Sequence, residues 1–193
     1  MMPRWQKLRK ERVCDMNYHN ITVDDMLNGD GLRTVLWVSG CAHHCRGCHN
    51  PQTWTFEGGR TESTQEIFEE IIKNPLLDGV TFSGGEPFCQ CAALTELADM
   101  ILGYEGFKMN VMAYTGYTFE YLMENANEEN GYLELLKRLD YLVDGEFEMD
   151  KKSYELKFMG SSNQRFIDVK KSLAAGEVIL AHDPWDNIEI KLL

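Results

Sequence analysis

The sequence predicts an α/β fold in which parallel strands alternate with helices that lie outside the sheet. Three observations carry this prediction: short β-branched segments, amphipathic segments between them, and glycines that directly follow two of the strands. Strand–helix–strand repetition is typical of parallel sheets covered by helices. In such folds, ligands bind at the carboxyl ends of the strands. The loops after the strands are therefore where functional residues are expected.

The first two predicted strands each end at a glycine. Residues 33–39 (RTVLWVS) are β-branched and aromatic, and they run into Gly40 and a cysteine. Residues 80–83 form a second short strand and precede Gly84 and Gly85. Both glycine-containing segments are thereby predicted to lie at the same edge of the sheet.

Capping residues and apolar spacing predict the remaining elements. Residues 63–66 (STQE) form a capping box, and the apolar residues after it give a helix one buried face. Further helices are predicted over 92–102, where Gly103 would end the helix, over 118–123 and over 133–139. Further strands are predicted over 108–114 and 141–143.

Two polar stretches have open roles. Residues 162–164 (SNQ) either cap a helix indicated by Phe166, Ile167 and Val169, or face a cofactor or a partner. Residues 144–146 (DGE) follow a predicted strand and either line the rim of a site or are simply solvated.

The composition describes one acidic domain. The chain has 193 residues, of which 44% are hydrophobic, enough for one sizeable core. Its net charge of −12 repels phosphate backbones and argues against a nucleic-acid partner. No apolar run approaches the ~18 residues that span a bilayer. Residues 1–15 are expected to be a disordered basic extension without a secretory signal, and residues 16–193 a single cytoplasmic domain without a membrane partner.

Three of the six cysteines stand close together: Cys41, Cys45 and Cys48 have the spacing C-x3-C-x2-C. In a reducing compartment, clustered cysteines bind metals or do redox chemistry more often than they form disulfides. Three thiolates on one loop hold three irons of a 4Fe-4S cluster and leave the fourth open, whereas a closed ferredoxin site uses four thiolates. Thiolate softness favours iron–sulfur clusters or zinc over hard cations.

The alternative to a cluster is a structural zinc site of the Cys3His type. His43, His44 or His49 would then supply the fourth ligand. The spacing strongly indicates a metal site, and by itself it leaves the choice between cluster and zinc open.

A glycine-rich turn, Ser83-Gly84-Gly85-Glu86-Pro87, follows the second of these strands. Its two glycines allow the backbone to approach a small ligand closely. Its carbonyl groups and the Glu86 carboxylate accept hydrogen bonds from a cationic amine. Alone, the turn is better explained as a tight turn with a solvated glutamate. Beside an open iron site, it favours recognition of the α-amine of an amino acid.

These two motifs together resemble those of the radical SAM superfamily, whose members cleave S-adenosylmethionine (SAM) at an iron–sulfur cluster. More narrowly, the chain is similar to the activating proteins of anaerobic (class III) ribonucleoside-triphosphate reductases. The similarity extends over residues 16 to 169. Besides the two motifs, it is carried by Met16-Asn17-Tyr18-His19, Asn28-Gly29-Asp30-Gly31, Val38-Ser39-Gly40-Cys41, Cys48-His49-Asn50, Trp54, Tyr114-Thr115-Gly116-Tyr117, Leu142-Val143-Asp144-Gly145 and Gly160-Ser161-Ser162-Asn163-Gln164-Arg165.

The resemblance implies a partial (incomplete) β/α barrel with parallel strands, and two cofactors. One 4Fe-4S cluster would be held by Cys41, Cys45 and Cys48. SAM would bind the open iron through its amine and carboxylate. The cofactor-binding residues implied are Gly47, Cys48, His49, Ser83, Gly84, Gly85, Glu86 and Thr115. No catalytic acid or base is expected beyond the cluster and the cofactor, because such cofactors carry the difficult step.

The resemblance also implies a reaction and its partners. A one-electron donor such as flavodoxin or ferredoxin would reduce the cluster, and SAM would be cleaved to methionine and a 5′-deoxyadenosyl radical. That radical would take a hydrogen atom from a backbone glycine of the reductase large subunit. The chain would thus be an oxidoreductase that generates a glycyl radical on another protein.

Two other classes of function remain. One is a radical SAM enzyme that acts on another glycyl radical enzyme or on a small molecule, although a short chain leaves little room for an elaborate substrate pocket. The other is a non-catalytic metal-binding module. Separately, Cys89 and Cys91 are expected to be small buried residues at a helix start rather than a second metal site.

Overall fold

The computed structural model describes residues 14–181, and its centre is one seven-stranded sheet. In chain order, the strands are β1 (Asp15–Asp25), β2 (Arg33–Val38), β3 (Arg60–Ser63), β4 (Gly79–Gly84), β5 (Asn110–Tyr114), β6 (Tyr141–Asp144) and β7 (Arg165–Asp168). Across the sheet their order is β3-β1-β2-β4-β5-β6-β7. The mixed α/β class predicted from the sequence is confirmed.

The direction of the strands differs between the centre of the sheet and its flanks. β2, β4, β5 and β6 are parallel, as predicted. The pairings β1–β2, β1–β3 and β6–β7 are antiparallel, so the expectation of parallel strands is wrong for the flanks. β1 and β3 give no clear apolar pattern because they bury few side chains. Such strands at the flank of the sheet lack the continuous apolar run that is typical of a buried parallel strand.

The described residues contain five α-helices, of which the first four lie between strands and the fifth follows β7: α1 (Thr64–Ile71), α2 (Cys91–Leu102), α3 (Phe119–Glu124), α4 (Tyr132–Leu136) and α5 (Val169–Ala175). The predicted capping box at the start of α1 is confirmed: Ser63 Oγ accepts from Glu66 N at 3.2 Å, and Glu66 Oε2 accepts from Ser63 N at 3.0 Å. Gly103 ends α2, also as predicted. In this part of the chain, no helix has both the length and the apolar character needed to cross a membrane.

The segment after Gln164 begins as a strand and becomes a helix only later. Phe166 and Ile167 lie in β7 and pair with β6, so the helix predicted to include them is wrong at this point. α5 begins at Val169, and its cap is Asp168, whose Oδ1 accepts from Lys171 N at 3.0 Å. A short apolar run fits either the strand or the helix period, so its residues alone do not separate the two.

The two faces of the sheet have different roles. Leu36, Phe82 and Val111 belong to the main hydrophobic core, together with the apolar residues of α1 and α2. Because successive strand side chains point to opposite faces, their neighbours Trp37 and Ser83 project from the other face. Those two residues line a cavity. Alternate residues along β2 and β4 therefore face the core and the cavity in turn.

The described chain begins just before Met16 and is attached to the fold from its first residue. The Cys14 carbonyl accepts a hydrogen bond from Thr64 N at 3.0 Å, and Asp15 pairs with Ser63 across β1 and β3. Residues 1–13 of the predicted basic extension lie outside the described residues.

Candidate active site

A cavity of about 580 Å³ lies at the carboxyl ends of β2, β4 and β5. This volume falls in the range of about 300–1,000 Å³ that is usual for small-molecule sites. Its wall unites nearly all the site residues predicted from the sequence, namely Cys41, Cys45, Cys48, His49, Ser83, Gly84, Gly85, Glu86 and Thr115. The carboxyl-end location follows the general rule for parallel sheets.

Gly47 is the one predicted site residue that is not part of this wall. It has a φ of +79°, and a Cβ at this position would lie 2.8 Å from Met149 Sδ. A glycine is therefore required for the loop to turn and for Met149 to pack against it. In this structure Gly47 shapes the cysteine loop rather than contacting the cavity.

The three clustered cysteines are free thiols that line the cavity together. Each sulfur accepts a hydrogen bond from a backbone N–H, which favours the thiolate form that binds metal. The donors are His43 N and His44 N to Cys41, Phe147 N to Cys45, and Asn50 N to Cys48 at 3.4 Å. Phe147 belongs to the loop after β6, so this loop and the cysteine loop meet at the sulfurs.

Burial opposes ionisation of two of these thiols. It raises the pKa of Cys41 and of Cys45, and the neighbouring cysteines add to the rise because their charges repel. A cationic iron–sulfur core would relieve both effects. Three soft donors without a fourth cysteine nearby in the sequence fit a 4Fe-4S cluster with one open iron.

The histidines near the cysteines are engaged elsewhere. His43 bonds carboxylates through both ring nitrogens, Nε2 to Glu86 at 3.0 Å and Nδ1 to Glu146 at 3.1 Å. The His44 ring packs edge-on against Trp54, and the His49 ring against Phe147. Among residues 14–181, no three His, Cys, Asp or Glu side chains converge closely enough to hold a single metal ion.

The Gly-Gly-Glu turn is bonded directly to the start of the cysteine loop. Gly85 N donates to Val38 O and Glu86 N donates to Gly40 O, both at 2.8 Å. A Cβ on Gly84 would lie 2.7 Å from Val38 N, and one on Gly85 would lie 2.4 Å from Gly40 O. Both glycines are therefore required by backbone packing between the two motifs. The turn and the cysteine loop form one rigid unit.

The Glu86 carboxylate is buried, at 1% exposure, and accepts four hydrogen bonds from the protein itself. The donors are Phe88 N and Thr115 Oγ1 to Oε1, at 3.0 and 2.9 Å, and Gly116 N and His43 Nε2 to Oε2, at 2.8 and 3.0 Å. Two lone pairs on each oxygen are thereby used. In this structure the Glu86 carboxylate is therefore fully bonded by protein donors, and its expected contact with an amine stays a prediction.

A second polar cluster holds the loop that follows β6. Gln164 Oε1 accepts from Gly160 N at 2.8 Å, and its Nε2 donates to Gly145 O at 2.9 Å. Asn163 Nδ2 donates to Glu146 O at 2.8 Å. Of the two roles left open for residues 162–164, helix capping is wrong. These side chains instead brace the loop between residues 145 and 160, which closes the cavity on one side.

Several residues of the cavity wall belong to none of the sequence motifs. Trp37 and Tyr114 lie on strands and would have been found by following the alternation of β2 and β5 to the side away from the core. Phe147 and Lys152 come from the loop after β6, which has no regular period. Only the fold brings that loop over the cysteines.

Cys89 and Cys91 differ in their environment. Cys91 is the first residue of α2, is buried, and its Sγ donates to Phe88 O at 3.2 Å. It is the small core residue that was expected. Cys89 is exposed, in the 3-10 helix Pro87–Gln90, so the expectation of burial is wrong for it. Although the Cys89 residue is exposed, partial desolvation of its sulfur and the nearby Glu86 charge raise its pKa to about 11. Burial and the same charge raise the pKa of Cys91 to about 12.

Fold and site together define an iron–sulfur protein of the α/β class. The family model of a 4Fe-4S single cluster domain matches residues 27–167, which include both motifs and the loop after β6. Curated relatives are more specific. Proteins named anaerobic ribonucleoside-triphosphate reductase-activating protein match from Vibrio cholerae (35% identity, covering 77% of this chain and 96% of that one), from Escherichia coli (34%, 77% and 96%) and from Enterobacteria phage T4 (32%, 78% and 92%). The chain belongs to the family of anaerobic ribonucleoside-triphosphate reductase-activating proteins.

Proposed function

We propose that this chain is a radical SAM enzyme that generates a glycyl radical on the large subunit of an anaerobic ribonucleoside-triphosphate reductase. The observation that carries the proposal is the shared cavity wall of Cys41, Cys45, Cys48 and the Gly-Gly-Glu turn. The same cavity therefore contains a site for a soft metal and a site for an amino acid. The names of the curated relatives support the choice of target protein.

Cys41, Cys45 and Cys48 would hold a 4Fe-4S cluster, with backbone N–H groups stabilising their thiolates. SAM would lie against Ser83, Gly84, Gly85 and Thr115, with His49 at the adjoining wall. When both are bound, the cluster and SAM supply one-electron cleavage of the sulfonium and a 5′-deoxyadenosyl radical that takes a hydrogen atom from glycine. The protein's own residues supply orientation and exclusion of water.

Glu86 and His43 position the two cofactor sites relative to each other. Glu86 receives hydrogen bonds from the segment 115–116 and from His43 of the cysteine loop. Movement of either segment would therefore leave the buried carboxylate with fewer donors, which is costly. Orientation fixed to this degree is what a reaction with a short-lived radical requires.

The fold and the cellular setting complete the proposal. The parallel strands β2, β4, β5 and β6, with their outer helices, would form the partial β/α barrel typical of radical SAM enzymes. Residues 16–193 would act as a single domain, preceded by a basic extension over residues 1–15. Flavodoxin or ferredoxin would deliver the electron, in the cytoplasm, with neither membrane nor nucleic acid as a partner.

Anaerobic reconstitution tests the proposal. The protein is loaded with iron and sulfide, reduced, and given SAM, and we expect 5′-deoxyadenosine and methionine as products. Addition of the reductase large subunit should give a glycyl radical spectrum by electron paramagnetic resonance. Zinc at one equivalent without iron absorbance, or no SAM cleavage by the reduced protein, would contradict the radical SAM assignment. Cleavage without any glycyl radical would point to a different substrate.

A further inference from the structure

The loop that carries the three clustered cysteines separates the cavity from solvent. Cys41, Cys45 and Cys48 line the cavity. The residues between them that are exposed have no part in the cavity wall, and they are Ala42, His44, Arg46 and Gly47. Thiolate ligands and a solvent-facing surface are therefore neighbours along the chain.

Arg46 gives this surface an unpaired positive charge. It directly follows Cys45, it is exposed, and it makes neither an ion pair nor a ring contact with residues 14–181. Glu146, in the loop after β6, is instead bonded to His43 at 3.1 Å. On a chain with a net charge of −12, the guanidinium is thus a local cationic site.

An apolar side chain borders the charge. Met149 is 44% exposed, and a Cβ on Gly47 would lie 2.8 Å from its Sδ, so the two residues pack against each other. Arg46 precedes Gly47 in the chain, so the charge and the apolar contact lie side by side. Weak electron-transfer complexes bury less than about 1,200 Å² and are steered by charge. A small surface of this kind is therefore sufficient for such a complex.

The proposed reaction needs an electron while the cavity is occupied. Reductive cleavage takes place with SAM bound, and the target glycine has to reach SAM through the mouth of the same cavity. The electron donor therefore has to approach from another side. Electron transfer falls steeply with distance, and a donor on the exposed side of the cysteine loop is separated from the thiolates by a single segment of chain.

Resting on the proposed function, we propose that Arg46 is the docking residue for the one-electron donor, an acidic carrier protein of the flavodoxin class. A carboxylate of the donor would pair with the guanidinium, and Met149 would contact the apolar edge of its flavin. One electron then passes from the reduced flavin to the cluster: the flavin is oxidised, the cluster is reduced, and no bond to this chain forms or breaks. Arg46 would act by positioning the donor and would touch neither SAM nor the target glycine.

Stopped-flow oxidation of flavodoxin hydroquinone by the anaerobic, cluster-loaded, SAM-bound protein tests this docking. Arg46→Glu should lower the second-order rate constant about tenfold at low ionic strength, and high salt should remove most of the difference. Arg46→Lys should retain most of the rate because it keeps the charge. The matched control is Lys108→Glu, which should leave the rate unchanged. Lys108 is likewise exposed and without an ion pair in the described part of the chain, but it precedes β5 and so lies at the opposite end of the sheet.

Two further measurements separate docking from an effect on the cluster itself. Photoreduced deazaflavin, a small neutral reductant, should reduce Arg46→Glu and wild type at equal rates. Calorimetry should show weaker binding of oxidised flavodoxin to Arg46→Glu than to wild type. Iron and sulfide content verifies that each variant is folded and loaded.

The possible outcomes distinguish the two proposals. Equal flavodoxin rates for Arg46→Glu and wild type, or equal slowing with both reductants, would overturn the docking and leave the proposed function intact. Weaker binding of the reductase large subunit with the flavodoxin rate unchanged would also overturn it and would assign Arg46 to that partner. Absence of SAM cleavage by the wild type with deazaflavin would overturn both proposals.

Discussion

His43 Nε2 lies 3.0 Å from Glu86 Oε2, and this contact joins the cysteine loop to the Gly-Gly-Glu turn through side chains as well as through backbone. The contact is sheltered, since the side chains are 10% and 1% exposed. The His43 ring also packs against Tyr117, with centroids 4.5 Å apart, and occupies the space where a Gly116 side chain would be. One histidine between two of the clustered cysteines therefore connects three segments of the site.

The first prediction concerns His43→Ala. Loss of the ring leaves a buried Glu86 oxygen with one donor fewer, which costs about 1–3 kcal/mol. All three cysteines remain, so we expect iron content near wild type but slower SAM cleavage, because the turn and the cysteine loop are less firmly held. His44→Ala is the matched control, since the His44 ring packs on Trp54 and its bond to the Cys41 sulfur is made by the backbone, which the substitution keeps. Equal SAM cleavage rates in the two variants would contradict a positioning role for His43.

The second prediction concerns Glu86→Gln. The amide has nearly the shape of the carboxylate, but its NH2 group would face a backbone N–H, of Phe88 or of Gly116, that can only donate, so at least one buried donor loses its acceptor. We expect a loss of about 2–5 kcal/mol in the free energy of unfolding of the protein without cluster or SAM, measured in urea. Glu57→Gln, at an exposed position, controls for the charge change. A carboxylate that served only to bind an amine would leave the stability of this cofactor-free protein unchanged.

Sequence reasoning reaches the parts of this protein that depend on local pattern. The central strands, the capping box at Ser63 and the grouping of the two motifs at one sheet edge are all predictable, because each is fixed by neighbouring residues. The saturation of Glu86 is not predictable in this way. Phe88 is a local donor, whereas positions 43, 115 and 116 come close to Glu86 only because β4 pairs with β2 on one side and with β5 on the other.

Dependence on non-local contacts also explains where the sequence-based predictions are wrong. β7 was expected to be helical because Phe166, Ile167 and Val169 fit a helix period over a short run. Pairing with β6 decides otherwise, and that pairing is non-local. Lys152 is likewise one of several lysines in its segment, and nothing in the residues around it distinguishes it from Lys151. Its place in the wall depends on how the loop after β6 crosses the cavity.

The third prediction separates the three clustered cysteines from Cys91 by function. Cys41→Ala, Cys45→Ala or Cys48→Ala should each abolish stable binding of the cluster and with it SAM cleavage, because too few thiolates remain to hold the irons. Cys91→Ala should keep full iron and sulfide content and lose only about 1 kcal/mol of stability, as a small buried side chain is trimmed. Iron and sulfide analysis after anaerobic reconstitution is the measurement. A variant of any of the first three that retained both the cluster and SAM cleavage would refute the assignment of ligands.

The fourth prediction is steric and concerns Gly85→Ala. Unlike Gly84, Gly85 does not have a positive φ, so the alanine backbone itself is not strained there. Its Cβ would nevertheless lie 2.4 Å from Gly40 O, and backbone cannot move aside as a flexible side chain can. The hydrogen bond from Glu86 N to Gly40 O would be the first to break. We expect the free energy of unfolding to fall by about 1–3 kcal/mol and SAM binding to weaken at the same time. Wild-type values for both would show that the two motifs are not rigidly joined.

The last prediction is a pH dependence outside the metal site. Arg165 donates to both oxygens of Glu120 at 2.9 and 2.6 Å, and this bonding lowers the pKa of Glu120 below its ordinary value of 4.5. A lowered folded-state pKa contributes stability that is complete above pH 4.5 and is lost as the pH falls through the folded value. The side chain is 52% exposed, so the contribution is only about 0.5 kcal/mol. The gap in unfolding free energy between wild type and Glu120→Gln should therefore shrink on acidification, whereas Glu124→Gln, at the end of the same helix, should show no such trend. A gap that stays constant from neutral pH to below pH 4.5 would refute this ion pair as the cause.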